Sequence, residues 1–168
     1  MTTIPKQKLW ARLAALGAAA LLIMADQLIK AAMPQDSRVL IPRVLGLRHT
    51  LNYGISFSLF GESAAIMTVI SIVTGLALLA GIAAILMGKL RGRILPGAVM
   101  ILAGGMGNLI DRLLHGYVVD YFEFLFVRFA IFNFADVLIT CGAAWLVIWV
   151  LISEARSCAK AKPKAGKA

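Results

Sequence analysis

Asp26, Asp111, Asp120 and Asp136 are four of only eight acidic residues in a chain of 168, and each stands in or beside a long apolar run. Asp120 lies in YVVDYF and Asp136 in FNFADVLIT, where no neighbour offers a countercharge. Carboxyl groups in apolar surroundings with no local cation are good starting points for a site. Two such groups held close cannot both ionise cheaply, so they tend to share one proton. The ionised member can take a proton from water while the neutral member donates one to a carbonyl. Water then attacks an amide without a metal or a covalent intermediate. The same pair could also relay protons, and the residue types alone select neither chemistry. Nor do they rank Asp120 above Asp111, which is equally acidic and at similar depth.

The other polar residues come in helical spacing. Asp26 and Lys30 are i and i+4 and can pair on one face. Asn108, Asp111 and Arg112 are i, i+3 and i+4, and Asn133 and Asp136 are i and i+3. Asn52 stands in a loop. Each group has a plain structural reading beside the functional one: an ion pair that orients a helix for Asp26–Lys30, an interhelical pair or interfacial anchor for Asp111–Arg112, a helix cap for Asn133. An ionisable residue inside a membrane span costs about 2.5 kcal/mol or more, which keeps function in view. Other chemistries find little support. His49 and His115 are isolated, HExxH and GxSxG motifs are missing, and a Ser56–Lys30 pair is disfavoured. Cys141 lies in an apolar run and Cys158 in a basic tail, with no CxxC, so neither a disulfide nor a metal site is expected. No cofactor is implied.

The elements that must position these residues are membrane spans. The chain is 61% hydrophobic and only 15% charged, with a mean hydropathy of +0.88. Soluble domains are nearer half apolar and about a quarter charged. Four stretches reach the roughly 20 apolar residues a spanning helix needs: about Leu9–Ala32, Ala64–Met87, Ile94–Leu114 and Ile131–Ile152. A cleaved signal peptide is the other reading of the first, but DQLIK and three further spans favour a retained helix. Lys6, Lys8 and Arg12, then Lys89, Arg91 and Arg93, then Arg156, Lys160, Lys162, Lys164 and Lys167 fall on one side of a four-span chain. The positive-inside rule assigns that side, with both termini, to the cytoplasm. The net charge of +9 calls for an anionic partner, and this distribution favours lipid headgroups over nucleic acid. Residues 1–155 read as one transmembrane domain and 156–168 as a basic, disordered tail. Loops Pro34–Ser63 and His115–Ala130 then face outward, and all the polar groups gather toward the outer leaflet. Residues 38–60, with β-branched and aromatic runs broken by Pro42, Gly46 and Gly54, predict a small sheet on the outer surface.

Five stretches in order resemble a known family: DQLIK at 26–30, LNYGISFS at 51–58, GNLIDR at 107–112, HGYVVDYF at 115–122 and FNFADVLIT at 132–140. The chain looks like a bacterial lipoprotein signal peptidase (signal peptidase II), a membrane aspartyl protease. The resemblance implies four transmembrane helices with an extracytoplasmic β-cradle in the inner membrane. It implies cleavage of prelipoproteins just before their diacylglyceryl-modified cysteine, at the outer leaflet, by a dyad of Asp120 and Asp136. It also implies supporting or substrate-binding roles for Asp26, Lys30, Asn52, Gly54, Asn108, Asp111, Arg112 and Asn133. Departures are small. Ile55 and Ser56 stand where the family commonly has two alanines, and Tyr121 follows Asp120 where Phe is usual. The alternative kept beside this is a proton- or ion-coupled transporter using the same carboxylates, although no internal repeat is visible. A monomer is expected.

Overall fold

Inside hydrocarbon a backbone finds no water, so long apolar runs satisfy their N–H and C=O groups internally as helices. The computed structural model describes residues 9–53 and 64–161. Within them α1 spans Leu9–Ala32, α2 Ala64–Leu86, α3 Leu95–His115 and α4 Phe134–Ala161. All four are long and apolar enough to cross a membrane. The first three end where hydropathy sets them, to within a residue. The last departs at both ends. It starts at Phe134 because Asn133 caps it, and it runs past Ile152 to Ala161 through Glu154, Ala155, Arg156 and Ala159. These are mostly good helix formers, so helix continues where apolar character stops. Residues 156–161, expected to be disordered, are therefore helical. Gly54, most of the NYGISFS stretch and the remainder of the basic tail lie outside the described residues.

Helix α3 is the centre of the bundle and packs on α1, α2 and α4. Of its apolar window 56% is buried within the protein, against 11% to 22% for the other three. Its small residues explain this. A Cβ at Gly97 would lie 2.9 Å from the Gly142 carbonyl oxygen, and one at Gly142 would lie 2.7 Å from that of Gly97. A Cβ at Gly104 would collide with the Ala135 carbonyl. The α3 and α4 backbones therefore touch, which only small residues permit. Ala15, Ala19, Leu78, Ile85, Leu102, Ala103, Leu109 and Leu138 fill the rest of the core. Leu21 and Leu28 of α1, Ile72 and Leu79 of α2, and Ile148 and Leu151 of α4 point outward, as lipid-facing residues do.

Three antiparallel strands sit on the bundle in the order β1 (Arg38–Ile41), β2 (Leu45–Asn52), β3 (Val118–Phe124). The first two lie in the segment expected to form a sheet. The third corrects the placement of Asp120 on a loop. Helix α3 stops at Gly116, whose left-handed backbone (φ 79°) lets its N–H return to the Arg112 carbonyl at 3.1 Å. The β-branched and aromatic run VVDYF then pairs with β2, placing Thr50 opposite Asp120 and Asn52 opposite Val118. A bridge between Phe122 and Phe132 ties this strand to the residues just before α4.

Candidate active site

The polar residues form two connected layers. The first is centred on Lys30, whose ammonium lies 2.8 Å from Asp26 Oδ2 and 2.9 Å from Asp111 Oδ2. It also donates to Asn108 Oδ1 at 3.0 Å. Asp26, Lys30 and Asp111 are all buried, at 0%, 6% and 2% exposure. The i, i+4 spacing on α1 places Asp26 and Lys30 together, and α3 delivers Asp111 and Asn108. Both carboxylates are further satisfied. Asp26 Oδ1 accepts the Ala135 N–H at 3.0 Å, and Asp111 accepts the Val119 N–H at 3.3 Å and the Gln27 amide at 2.9 Å. The two backbone bonds fasten α1 to the helix that carries Asp136 and α3 to the strand that carries Asp120. Gly107 makes the approach possible, because a Cβ there would stand 2.5 Å from Asp26 Oδ2.

The second layer holds Asp120 and Asp136. Asn133 and Asp136 form a reciprocal cap on α4: the Asp136 N–H donates to Asn133 Oδ1 at 3.0 Å, and the Asn133 N–H donates to Asp136 Oδ2 at 3.1 Å. This is the capping-box arrangement, so Asn133 caps α4 as well as being a candidate site residue. Its side-chain amide also donates to Asp120 Oδ1 at 2.7 Å and to Asn108 Oδ1 at 3.1 Å. The Asn52 amide donates to Asp120 Oδ2 at 2.8 Å, and the Asn108 amide to Asp136 Oδ1 at 2.8 Å. Neither carboxyl of this layer has a salt bridge among the described residues. Both are held by neutral amides and share Asn133 as a common neighbour.

Burial pushes the Asp120 carboxyl from 3.8 up to about 6; the Asp136 charge pushes the same way, while the Asn52 and Asn133 donors and the Lys30 charge oppose it. Asp120 is 3% exposed, so loss of hydration dominates. Burial also raises the Tyr121 phenol, which stays a hydroxyl and accepts the Phe134 N–H at 3.0 Å.

Asp120 and Asp136 line one cavity of about 360 Å³, together with Asn52, Asn108, Arg112, Thr74 and Ile139. Arg112 donates to the Asn108 carbonyl at 3.4 Å, and its buried Nε has no partner among the described residues. A cavity with two amide-held carboxyls and one under-used guanidinium can bind a peptide backbone and polarise its carbonyl.

Of the ten expected site residues, all but Gly54 are described and all nine fall in this connected network. Asn52, Asn108, Arg112, Asp120 and Asp136 face the cavity, whereas Asp26, Lys30 and Asp111 stand behind it. Gln27, Tyr121 and Thr74 were not expected. Gln27 sits inside DQLIK between the two paired residues, and an uncharged polar residue there was a signal of its own. Thr74 carried none, since a lone hydroxyl in an apolar run is ordinary, and Tyr121 stood out only as a departure from the usual Phe.

The profile of a family described as signal peptidase (SPase) II matches residues 18–152. A protein named lipoprotein signal peptidase from Streptococcus agalactiae is 38% identical over 136 residues, 76% of this chain and 85% of that protein. One of the same name from Allorhizobium ampelinum is 38% identical over 144 residues, 81% of this chain and 86% of that protein. A solved structure described as a bacterial membrane enzyme superposes with a TM-score of 0.73 at 26% identity, covering 92% of this chain and 94% of that one. A second, described in the same way, gives 0.70 at 28% identity over 82% and 92%.

Proposed function

The chain belongs to the signal peptidase II family, and from that premise we propose that it is an aspartyl endopeptidase cutting prelipoproteins just before the diacylglyceryl-modified cysteine. Peptidase activity on lipoprotein signal peptides follows from the family and from the names of the relatives. The catalytic type and the residues are the proposal. The observation that carries it is the difference in charge compensation between the layers: of the four aspartates in the network, Asp120 and Asp136 are the two that are held by neutral donors without an ion pair and line the cavity.

In this reading Asp120, raised to about 6, holds the shared proton. Asp136 acts as base, since the Asn133 N–H and Asn108 amide suit an ionised acceptor. A water between them loses a proton to Asp136 as its oxygen attacks the scissile carbonyl. Asp120 gives its proton to the carbonyl oxygen, forming a neutral gem-diol. On collapse, the proton on Asp136 passes to the leaving nitrogen and Asp120 recovers one from the diol. The C–N bond breaks and both carboxyls return to their starting states. Arg112 donates to a substrate carbonyl, and Asn52 and Asn133 orient Asp120. The positive-inside rule assigns the cavity to the outer leaflet. The test is cleavage of a synthetic diacylglyceryl lipopeptide by the purified protein. Cutting before the lipidated cysteine supports the proposal; inertness of the folded protein toward that peptide contradicts it.

A further inference from the structure

The far end of the bundle carries a cluster that peptide cleavage does not use. At about 1.5 Å per residue, α4 covers roughly 30 Å from Asp136 to Arg156, about the thickness of the hydrocarbon core. There the Arg93 guanidinium carbon stands 4.3 Å from the centre of the Trp149 ring, and that of Arg156 stands 5.7 Å from the same centre. Trp149, Ile152, Ser153, Arg156 and Ser157 line a cavity of about 230 Å³. The spacing 149, 153, 156 keeps these residues on one face of α4. Arg93 reaches it from the turn before α3, made by Gly92 at φ 59°, and the Trp145 indole N–H fixes that turn by donating to the Arg93 carbonyl at 2.6 Å. Neither guanidinium forms a salt bridge among the described residues. Two like charges drawn to one ring repel each other, and an anion between them would relieve this. Arg offers the planar fork that grips phosphate and also stacks on indole, and Trp is a residue of the headgroup level.

We propose that Arg93, Trp149 and Arg156 form a binding site for the phosphate of an anionic phospholipid, in the leaflet opposite the Asp120–Asp136 cavity. The site is a fixed grip rather than a diffuse attraction, and it does not rest on the peptidase reading. The full-length protein is placed in phosphatidylcholine nanodiscs with a minor share of phosphatidylglycerol, and the lipids it retains are counted by native mass spectrometry. Wild type retains phosphatidylglycerol selectively. R93Q/R156Q retains it at least about tenfold less, whereas K164Q/K167Q, which removes equal charge from the tail, does not. R93K/R156K keeps the net charge and still loses several-fold, because an ammonium lacks the fork. Equal loss from the tail variant, or undiminished retention by the lysine variant, overturns the site. Displacement of the lipid by millimolar inorganic phosphate overturns the assignment to a lipid headgroup. Both arginines are exposed, so the variants keep the helical circular dichroism of wild type.

Discussion

Asp26 and Asp111 differ from Asp120 and Asp136 in what neutralises them, although all four are aspartates within one network. The first two flank Lys30 at 2.8 and 2.9 Å and accept backbone N–H groups as well. The last two accept donors that, apart from one backbone N–H, are asparagine amides, and they face a cavity. A buried carboxylate beside a buried ammonium has its charge compensated and holds helices together. A buried carboxyl with neutral partners keeps its proton within reach. Charge compensation, more than acidity or depth, separates the acids that build this protein from those we propose do its chemistry.

The largest expected effect falls on rate. Asp120→Asn or Asp136→Asn lowers kcat for the lipopeptide by at least about 10²–10⁴-fold, the usual worth of a general acid or base. Stability changes little, because an amide keeps part of the hydrogen bonding. The next effect falls on the other layer and on stability. Lys30→Met strands two buried carboxylates and destabilises by roughly 3–5 kcal/mol, read as a lower Tm or midpoint of unfolding in detergent. A wild-type melting curve for that variant would break the comparison at its base. Asn133→Ala affects both stability and rate. It removes a cap at about 1 kcal/mol and takes the side-chain amide from Asp120, so kcat falls more than stability alone accounts for.

The smallest effect is in pH. If Asp120 must hold a proton, kcat/KM declines as pH rises through about 6, the value to which burial lifts it. Bound substrate removes more water from Asp120, so the corresponding limb in kcat lies at higher pH. Asn52→Ala deletes a donor that opposes the shift and moves the kcat/KM limb upward. Movement downward would contradict the assignment of Asn52 as a donor to the ionised form.

The spans were legible because hydropathy over some 20 residues is a strong signal and the bilayer enforces it. The ends of α4 were not, since Asn133 caps by a side-chain geometry and the polar end continues by propensity. Strand β3 was missed because its pairing with β2 joins segments far apart in sequence, across two helices. The polar stripes at i, i+3 and i+4 correctly announced faces that avoid lipid. Which stripe met which was hidden: Asp111 could not be matched to Lys30, nor Asn133 to Asp120, without the fold. That is why the residues alone left Asp111 and Asp120 equal, and only the family resemblance chose between them.

The most direct test measures kcat for the lipopeptide with D120N, D136N, D120N/D136N and D111N, each checked for folding. Groups that act as one unit are grossly non-additive. Both single variants and the double are expected to show the same background rate, with D111N losing stability but retaining measurable turnover when folded. A double variant far slower than either single, or a folded D111N as inactive as D120N, would contradict that expectation.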